Sequence, residues 1–156
     1  DRFAHPRLGM SRTAVTLGRV KVAGMEPAAA QLADRMASLV RDRSLPADLV
    51  VTAVPSSSRL NQVFAQRIAE TLGLRFVERV GGRSRILGRS ARSVLGRIKP
   101  RGRRAPAHVL LVADAVRTGE TLRSCAAMLR ERGAAEVWAV AVVAFDEASG
   151  EVPAFF

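Results

Sequence analysis

The sequence predicts a doubly wound α/β domain, in which a mainly parallel sheet carries helices on both faces. Short apolar runs alternate along the chain with segments whose apolar residues recur at helical spacing. Several of these runs are continuous, which is typical of parallel strands covered on both sides. A length of 156 residues, 48% of them hydrophobic, suits one domain spanning 1–156 with a sizeable core.

The first half of the chain supplies five of the predicted elements. They are an extended segment at 14–22, a helix at 27–43, a strand at 49–54, a helix at 59–72 and a weaker strand at 75–80. Pro27 suits a first helical turn, and Leu32, Met36 and Val40 follow it at helical spacing. Gly73 is expected to cap the second helix at its C-terminus.

The second half continues the alternation with a strand at 108–112, a helix at 119–132 and a strand at 137–145. Gly133 is expected to end the helix. Cys125, the only cysteine, lies on the apolar face of that helix and is interpreted as a small buried hydrophobe. Trp138 is expected to pack in the core, and His108 to be a strand-edge residue rather than a general base.

The stretch from Val109 to Thr121 is the most informative about function. Its apolar run leads to Asp114, and a helical pattern begins after Arg117-Thr118-Gly119-Glu120-Thr121. A tight turn at a helix N-terminus directs backbone N–H groups into one space where the helix dipole favours an anion. Ligands of α/β folds bind at this end of the strands. The stretch therefore predicts a site for a phosphorylated ligand, with Asp114 available for a metal ion or a sugar hydroxyl.

The segment Pro55-Ser56-Ser57-Ser58-Arg59 is a second candidate for anion binding. It lies between a predicted strand and a predicted helix, and its hydroxyl and backbone N–H groups could bind a diphosphate. The alternative is that Ser57 or Ser58 caps the helix. Glu120 is also left with two interpretations, as a first-turn acid that suits the helix dipole or as a metal or ribose ligand.

The 109–121 stretch resembles the phosphoribosyl-diphosphate (PRPP) motif of type I phosphoribosyltransferases, which has four hydrophobic residues, two acids and a Thr-Gly-x-Thr type loop. The resemblance implies that fold, with Mg²⁺ held indirectly through Asp114 and with a 5′-phosphate wrapped by residues 117–121. The PRPP-binding residues that it implies are Ala115, Val116, Arg117, Thr118, Gly119, Glu120 and Thr121. Asp114 would be the catalytic residue that orients the ribose hydroxyls.

Three positions depart from that motif. Ala113 stands where the first acid usually is, Ala115 replaces a larger aliphatic residue, and Arg117 replaces a small residue or an acid. Arg117 could bind phosphate as an extra ligand, or it could neutralise Asp114 and make a metal unnecessary. The departures weaken the expectation of full catalytic power and leave open whether the chain is an enzyme.

Within that superfamily the sequence is most similar to the ComF-like group, which is linked to competence and DNA uptake. The similarity rests on Lys21-Val22-Ala23-Gly24, Ala53-Val54-Pro55, Leu60-Asn61-Gln62 and Ser93-Val94-Leu95-Gly96. The Cys-rich N-terminal metal module common in the group is not found in this sequence.

The positive charge of the chain is concentrated in one stretch. The sequence has 25 basic and 14 acidic residues, a net charge of +11, and residues 79–107 contain ten basic residues and no acid. Glycines within it indicate an irregular or flexible loop at about 81–107. The basic residues assigned to this loop are Arg83, Arg85, Arg89, Arg92, Arg97, Lys99, Arg101, Arg103 and Arg104.

Three interpretations of this loop remain open. It could be a lid that closes over the diphosphate, as the corresponding segment does in the resembled family. It could bind single-stranded DNA or RNA through phosphate contacts, with affinity that falls steeply with salt. It could also be a solvated loop that reflects the preference of this chain for arginine over lysine.

The sequence thus predicts a phosphoribosyltransferase-like protein that binds PRPP or a similar phosphorylated ribose. The transfer of phosphoribosyl to an acceptor is one version of this function, and a non-catalytic module that binds nucleic acid is the alternative. No apolar run has transmembrane length and no secretory signal pattern occurs, so a cytoplasmic protein is expected. A homodimer is also left open.

Overall fold

The computed structural model describes residues 26–56, 59–78, 80–81, 99–100, 104–116 and 118–144. These residues form three helices and six strands. In chain order the elements are α1 (Glu26–Arg41), β1 (Val50–Ala53), α2 (Leu60–Leu72), β2 (Arg75–Phe76), β3 (Val80–Gly81), β4 (Lys99–Pro100), β5 (His108–Val116), α3 (Glu120–Glu131) and β6 (Glu136–Ala144).

Four of these strands form one parallel sheet in the order β2-β1-β5-β6. The chain passes from β1 outward to β2 and then returns to the other side of β1 to form β5. The direction of winding therefore reverses between β1 and β5, which makes this pair the topological switch point of the sheet. Their register pairs Val50 with Val109 and Ala53 with Val112.

Helices cover both faces of the sheet, as the apolar patterns predicted. Alternate residues of β5 point to opposite faces because side chains alternate along a strand. Leu110 and Val112 pack with α1 and α2 around Phe64, whereas Val109 and Leu111 pack beneath α3. The predicted doubly wound fold class is therefore confirmed, and the helices of the described residues lie two on one face and one on the other.

Two predicted strands differ from those in the structure. The segment predicted as one strand at 75–80 is divided: β2 joins the parallel sheet, whereas β3 pairs with β4 in a separate antiparallel ladder. The strand predicted at 108–112 continues to Val116, because β6 remains paired with it as far as Val116 and Ala144. Asp114 thus lies inside β5 and not at its end.

The helices match their predicted ranges to within two residues. Gly73 adopts a left-handed conformation (φ 67°) and its N–H donates to carbonyls of the last turn of α2, which confirms the predicted cap. Gly133, also at positive φ, follows α3. The predicted segment at 14–22 and the tail after Ala144 lie outside the described residues. None of the described helices combines the length and the apolar character needed to cross a membrane.

Candidate functional site

The carboxyl ends of β1 and β5 and the N-termini of α2 and α3 meet at one edge of the sheet. Each of these helices begins a few residues after the strand that precedes it, so the first turns of both lie at this edge. The N–H groups of a first turn have no partner within the helix and carry a partial positive charge. The edge between β1 and β5 is therefore electrostatically suited to a ligand that carries negative charge.

Asp114 is the buried acid at this edge, with 8% of its surface exposed. Its carboxylate Oδ1 accepts a hydrogen bond of 2.7 Å from the backbone N–H of Ala115. This bond to its own chain fixes the direction of the side chain within β5. The preceding residue, Ala113, is buried in the core beneath α3, so the position of the missing acid is filled by core packing.

Asn61 connects Asp114 to the neighbouring strand. Its Oδ1 accepts a 2.7 Å hydrogen bond from the backbone N–H of Asp114, and its Nδ2 donates a 2.9 Å bond to the carbonyl of Val54. The side chain is buried, with 3% of the residue exposed. One side chain from the first turn of α2 thus joins the carboxyl ends of β1 and β5.

The loop from Thr118 to Thr121 reverses the chain between β5 and α3. Gly119 is the N-cap of α3 in a left-handed conformation (φ 73°), which a residue with a Cβ adopts only with strain. The N–H of Glu120 donates a long 3.4 Å bond to Thr118 Oγ1. Arg123, one turn into α3, donates from Nη2 to the carbonyl of Thr118 at 2.8 Å and holds the loop from the helix side.

The remaining residues of the predicted PRPP-binding stretch at 115–121 differ in burial. Val116 is buried in the core beneath α3, and Ala115 is half-buried with its N–H already bonded to Asp114 Oδ1. Thr118 is exposed and Thr121 half-buried. Glu120 is the half-buried first residue of α3. Arg117 lies outside the described residues.

The predicted diphosphate segment lies at the same edge, after β1. Pro55 and Ser56 are half-buried there. Arg59 is exposed and is the N-cap residue of α2, and its side chain makes no capping hydrogen bond. The structure assigns the N-cap to Arg59, whereas the predicted alternative was a cap at Ser57 or Ser58. Ser57 and Ser58 themselves lie outside the described residues.

The basic stretch is described only at its ends. Lys99 lies in β4, which pairs with β3 so that Lys99 lies opposite Gly81. Arg104 packs beside Gly133 after α3, at the amino end of the parallel strands, opposite to Asp114. Those outside the described residues are Arg79, Arg83, Arg85, Arg89, Arg92, Arg97, Arg101 and Arg103.

Three further residues considered in the sequence lie away from this edge. His108 begins β5 at the opposite edge, where its Nδ1 lies 2.7 Å from Asp48 Oδ1. Trp138 is half-buried, packs against the core formed with α1 and α2, and lies with its ring 6.1 Å from that of His108. Cys125 is buried beneath α3, and burial raises the pKa of its thiol from 9.0 to about 12.

The side chains of the site can hold a magnesium ion only together with groups of a bound ligand. Within the part of the chain that the structure describes, no three His, Cys, Asp or Glu side chains lie close enough to hold a metal ion. Asp114 offers a single carboxylate. Mg²⁺ commonly keeps several waters and is held by one or two carboxylates together with phosphates of the substrate. The site therefore fits magnesium that arrives bound to a ligand.

Sequence reasoning assigned no site role to Asn61 or Arg123. A signal for Asn61 was present, since it shares one face of α2 with the buried Phe64 and Ile68 at spacings of three and seven residues. A polar residue on an apolar face is expected to have a hydrogen-bond partner in the core. Arg123 gave no such signal, because an arginine on the exposed side of a helix is ordinary.

Comparison with known proteins finds no matching family model and no matching curated protein. Solved structures do match. They include hypoxanthine phosphoribosyltransferase from Trypanosoma cruzi in complex with the product IMP (20% identity, 90% of this chain and 72% of that chain, TM-score 0.50). They also include hypoxanthine-guanine phosphoribosyltransferase from Bacillus anthracis with HEPES in the active site (16%, 76% and 68%, TM-score 0.54).

A third match is hypoxanthine phosphoribosyltransferase from Staphylococcus aureus, with 18% identity over 81% of this chain and 68% of that chain and a TM-score of 0.51. Identities this low establish similarity of fold and nothing finer. Together with the four-stranded parallel sheet and its switch point between β1 and β5, they show that the chain has the fold of the type I phosphoribosyltransferases.

Proposed function

We propose that the chain binds PRPP, or another ligand built on ribose 5-phosphate, in the crevice between β1 and β5. The observation that carries this proposal is the buried carboxylate of Asp114 at the switch point, two residues before the end of β5. In the loop that follows, Gly119 caps α3 in a left-handed conformation. A carboxylate beside a turn of backbone N–H groups suits a ligand that carries both hydroxyl groups and a phosphate.

Each part of the ligand has a candidate partner in this arrangement. The N–H groups of the loop at 118–121 and the hydroxyls of Thr118 and Thr121 would hold the 5′-phosphate. Asp114 would accept hydrogen bonds from the ribose hydroxyls. Residues Pro55 to Arg59 would hold the diphosphate at the N-terminus of α2, where the positive end of the helix dipole lies.

Magnesium would be held by the phosphates of the ligand, with Asp114 nearby. When bound, the ion would neutralise the negative charge that develops on the departing diphosphate. The residues of this chain would orient the ribose and keep its C1′ accessible between the two loops. Positioning and electrostatic stabilisation are therefore the contributions that the protein itself makes.

A transfer of phosphoribosyl would follow directly from this binding mode. The bond between C1′ and the diphosphate oxygen breaks, its electron pair leaves with the diphosphate, and a nucleophilic acceptor forms a new bond to C1′. Because Ala113 leaves Asp114 as the one acid of the motif, we propose PRPP binding as the main function and phosphoribosyl transfer as an additional one.

Calorimetric titration of PRPP, with and without magnesium, tests the proposed binding. Binding that requires magnesium is the expected result, and a screen of nucleobase acceptors would then test transfer. Binding of equal strength without the metal would favour Arg117 as the group that replaces it and a ligand-sensing role. A folded protein that binds no PRPP under either condition would overturn the proposal.

A second candidate function is supported by the distribution of charge. Residues 79–107 carry ten basic residues and no acid, more positive charge than a diphosphate requires, whereas the rest of the chain has 15 basic and 14 acidic residues. We propose that this stretch binds single-stranded DNA or RNA, as the resemblance to ComF-like proteins implies. Such contacts would go mainly to phosphates, so affinity would fall steeply as salt increases.

A gel-shift titration with single-stranded DNA at two salt concentrations tests this candidate. The triple variant Arg101→Ala, Arg103→Ala, Arg104→Ala is expected to weaken binding and reduce its salt dependence. Arg35→Ala, on the exposed side of α1, is the matched control because it removes one positive charge outside the stretch. An unchanged shift in the triple variant would contradict the assignment to these residues.

A further inference from the structure

The ladder between β1 and β5 is interrupted at the switch point. Its last direct backbone bond runs from the N–H of Val54 to the carbonyl of Val112, at 2.9 Å. With Ala53 opposite Val112, the next bond of a regular parallel ladder would run from the N–H of Asp114 to the carbonyl of Val54. In this protein the N–H of Asp114 does not bond directly to the carbonyl of Val54.

The side chain of Asn61 takes the place of the missing bond. Its Oδ1 receives the N–H of Asp114 at 2.7 Å, and its Nδ2 donates to the carbonyl of Val54 at 2.9 Å. A carboxamide is thus inserted between the two backbones as one additional link. The strands are connected but held further apart than a direct hydrogen bond would hold them.

The insertion separates the strands where a ligand would have to enter. Beyond Val54 the chain continues into the segment at 55–59, and beyond Asp114 it continues into the loop at 118–121. Ligands of doubly wound folds bind in the crevice where two adjacent strands lead into loops on opposite sides of the sheet. Asn61 therefore stands at the base of the crevice and contacts the strands that carry both loops.

We propose that Asn61 is a positioning residue that wedges this crevice open and fixes the two loops relative to one another. The proposal rests on the function proposed above, since the two loops are taken to hold the two ends of one ligand. Asn61 acts through the backbone of Val54 and Asp114. It sets the distance between the diphosphate and 5′-phosphate subsites.

The chemistry of the carboxamide explains why asparagine suits this position. The group offers an acceptor and a donor at fixed separation, which are the two functions required by the N–H of Asp114 and the carbonyl of Val54. A carboxylate could accept but not donate, and an aliphatic side chain could do neither. With only 3% of Asn61 exposed, water is poorly placed to substitute for either bond.

This role has a consequence that a general stabilising role does not. PRPP spans both loops, whereas ribose 5-phosphate and diphosphate each need only one of them. Loss of the wedge should therefore weaken PRPP binding by about tenfold or more, within the range usual for coupling between two sites. The affinity for each fragment should change by less than about threefold, because each loop keeps its own contacts.

The experiment is a calorimetric comparison of PRPP, ribose 5-phosphate and diphosphate binding to the wild-type chain and to Asn61→Ser, a neutral and shorter replacement. Gln62→Ala is the matched control, because Gln62 is the next residue of α2 and makes an exposed hydrogen bond to Glu78, which lies outside β1 and β5. Circular dichroism of each variant shows whether it is folded.

Three patterns of result are informative. Selective loss of PRPP binding in Asn61→Ser, with Gln62→Ala unchanged, supports the wedge. Equal loss for all three ligands, or no loss, overturns it and leaves the proposed function standing. No binding of PRPP by the wild-type chain overturns the proposed function itself, and the wedge as a ligand-positioning device with it.

A measurement on the unaltered protein keeps the inference testable if Asn61→Ser does not fold. The side-chain NH₂ signals of Asn61 in an ¹⁵N-correlation spectrum should move when either fragment is added alone, because the carboxamide is bonded to the strands of both loops. Signals that respond to only one fragment, or to neither, would contradict the wedge.

Discussion

The two edges of the parallel sheet are held together in different ways. At the amino edge, most of the connections are hydrogen bonds between backbone groups. The carbonyl of Ala107 accepts from the N–H groups of Ala135 and Glu136, and the N–H of Ala105 donates to the carbonyl of Arg132. At the carboxyl edge, a last backbone bond joins the N–H of Val54 to the carbonyl of Val112, and beyond it the side chain of Asn61 connects Val54 to Asp114. The amino edge is closed mainly by backbone hydrogen bonds, with the His108–Asp48 pair in addition, whereas the end of the β1–β5 ladder at the carboxyl edge depends on the side chain of Asn61.

This difference between the two edges indicates where substitutions are expected to alter ligand affinity. Backbone hydrogen bonds are largely independent of residue type, so the amino edge tolerates variation in sequence. The carboxyl edge depends on a few side chains with fixed donor and acceptor roles. Substitutions at this edge are therefore expected to change ligand affinity, whereas substitutions at the amino edge change stability alone.

The largest effect is expected from Asp114→Asn at the carboxyl edge. The amide oxygen can still accept from the N–H of Ala115, so the fold should be retained, but the negative charge that we propose acts on ribose and magnesium is lost. A charged hydrogen bond contributes about 1.5–3 kcal/mol, so PRPP affinity should fall by up to about 100-fold in calorimetry.

Asp48→Asn is the matched control for that prediction. It makes the same chemical change at the amino edge, where Asp48 is paired with His108 and its side chain is 65% exposed. PRPP affinity should be unchanged, and stability should change by less than about 1 kcal/mol. Equal effects of the two substitutions on affinity would remove the functional distinction between the edges.

An intermediate effect is expected from Gly119→Ala. The left-handed conformation at φ 73° is strained for alanine, and the new Cβ would lie 3.1 Å from Nη1 of Arg123. The strain amounts to about 1–2 kcal/mol, so PRPP affinity should fall by about tenfold and the melting temperature should fall as well. Calorimetry and thermal unfolding measure the two quantities.

Gly133→Ala is the control that shows whether PRPP affinity and the melting temperature change independently. Gly133 also has a positive φ, of 101°, but it follows α3 at the amino edge. Its substitution should lower the melting temperature by a similar amount and leave PRPP affinity unchanged. A loss of affinity in Gly133→Ala would show that the two edges are coupled.

The smallest effect concerns Cys125, which lies beneath α3 in the core that both edges share. Its pKa rises from 9.0 to about 12 on burial, so the thiol stays protonated in the folded chain while an unfolded chain ionises it above pH 9. The free energy of unfolding should therefore decrease by about 1 kcal/mol between pH 9 and pH 10 from this group.

Denaturant unfolding at these two pH values, compared between the wild-type chain and Cys125→Ala, measures that contribution. Few other side chains titrate in this pH range, because the sequence contains no tyrosine and only two lysines, Lys21 and Lys99. The variant should lack the additional decrease. Rapid reaction of Cys125 with a thiol reagent in the folded protein would contradict its burial.

The periodicity of apolar residues in the sequence was sufficient to predict most of the helices and strands. The three helices were predicted to within two residues, because each has an apolar face and two are followed by a glycine at positive φ. The strand at 108–112 was predicted too short because Asp114 interrupts the apolar run. Its extension depends on pairing with β6, which is a contact between segments distant in the sequence.

The sequence by itself determined the doubly wound class and the buried state of Cys125, and it predicted the loop after β5 as a phosphate site, because these inferences depend on local spacing and residue type. Only the tertiary structure decided that Asn61 replaces a ladder bond between Val54 and Asp114, and that Arg104 lies at the opposite edge from Asp114. The physical reason is that a hydrogen bond across 53 residues is set by the packing of α2 against two strands, which no local pattern specifies.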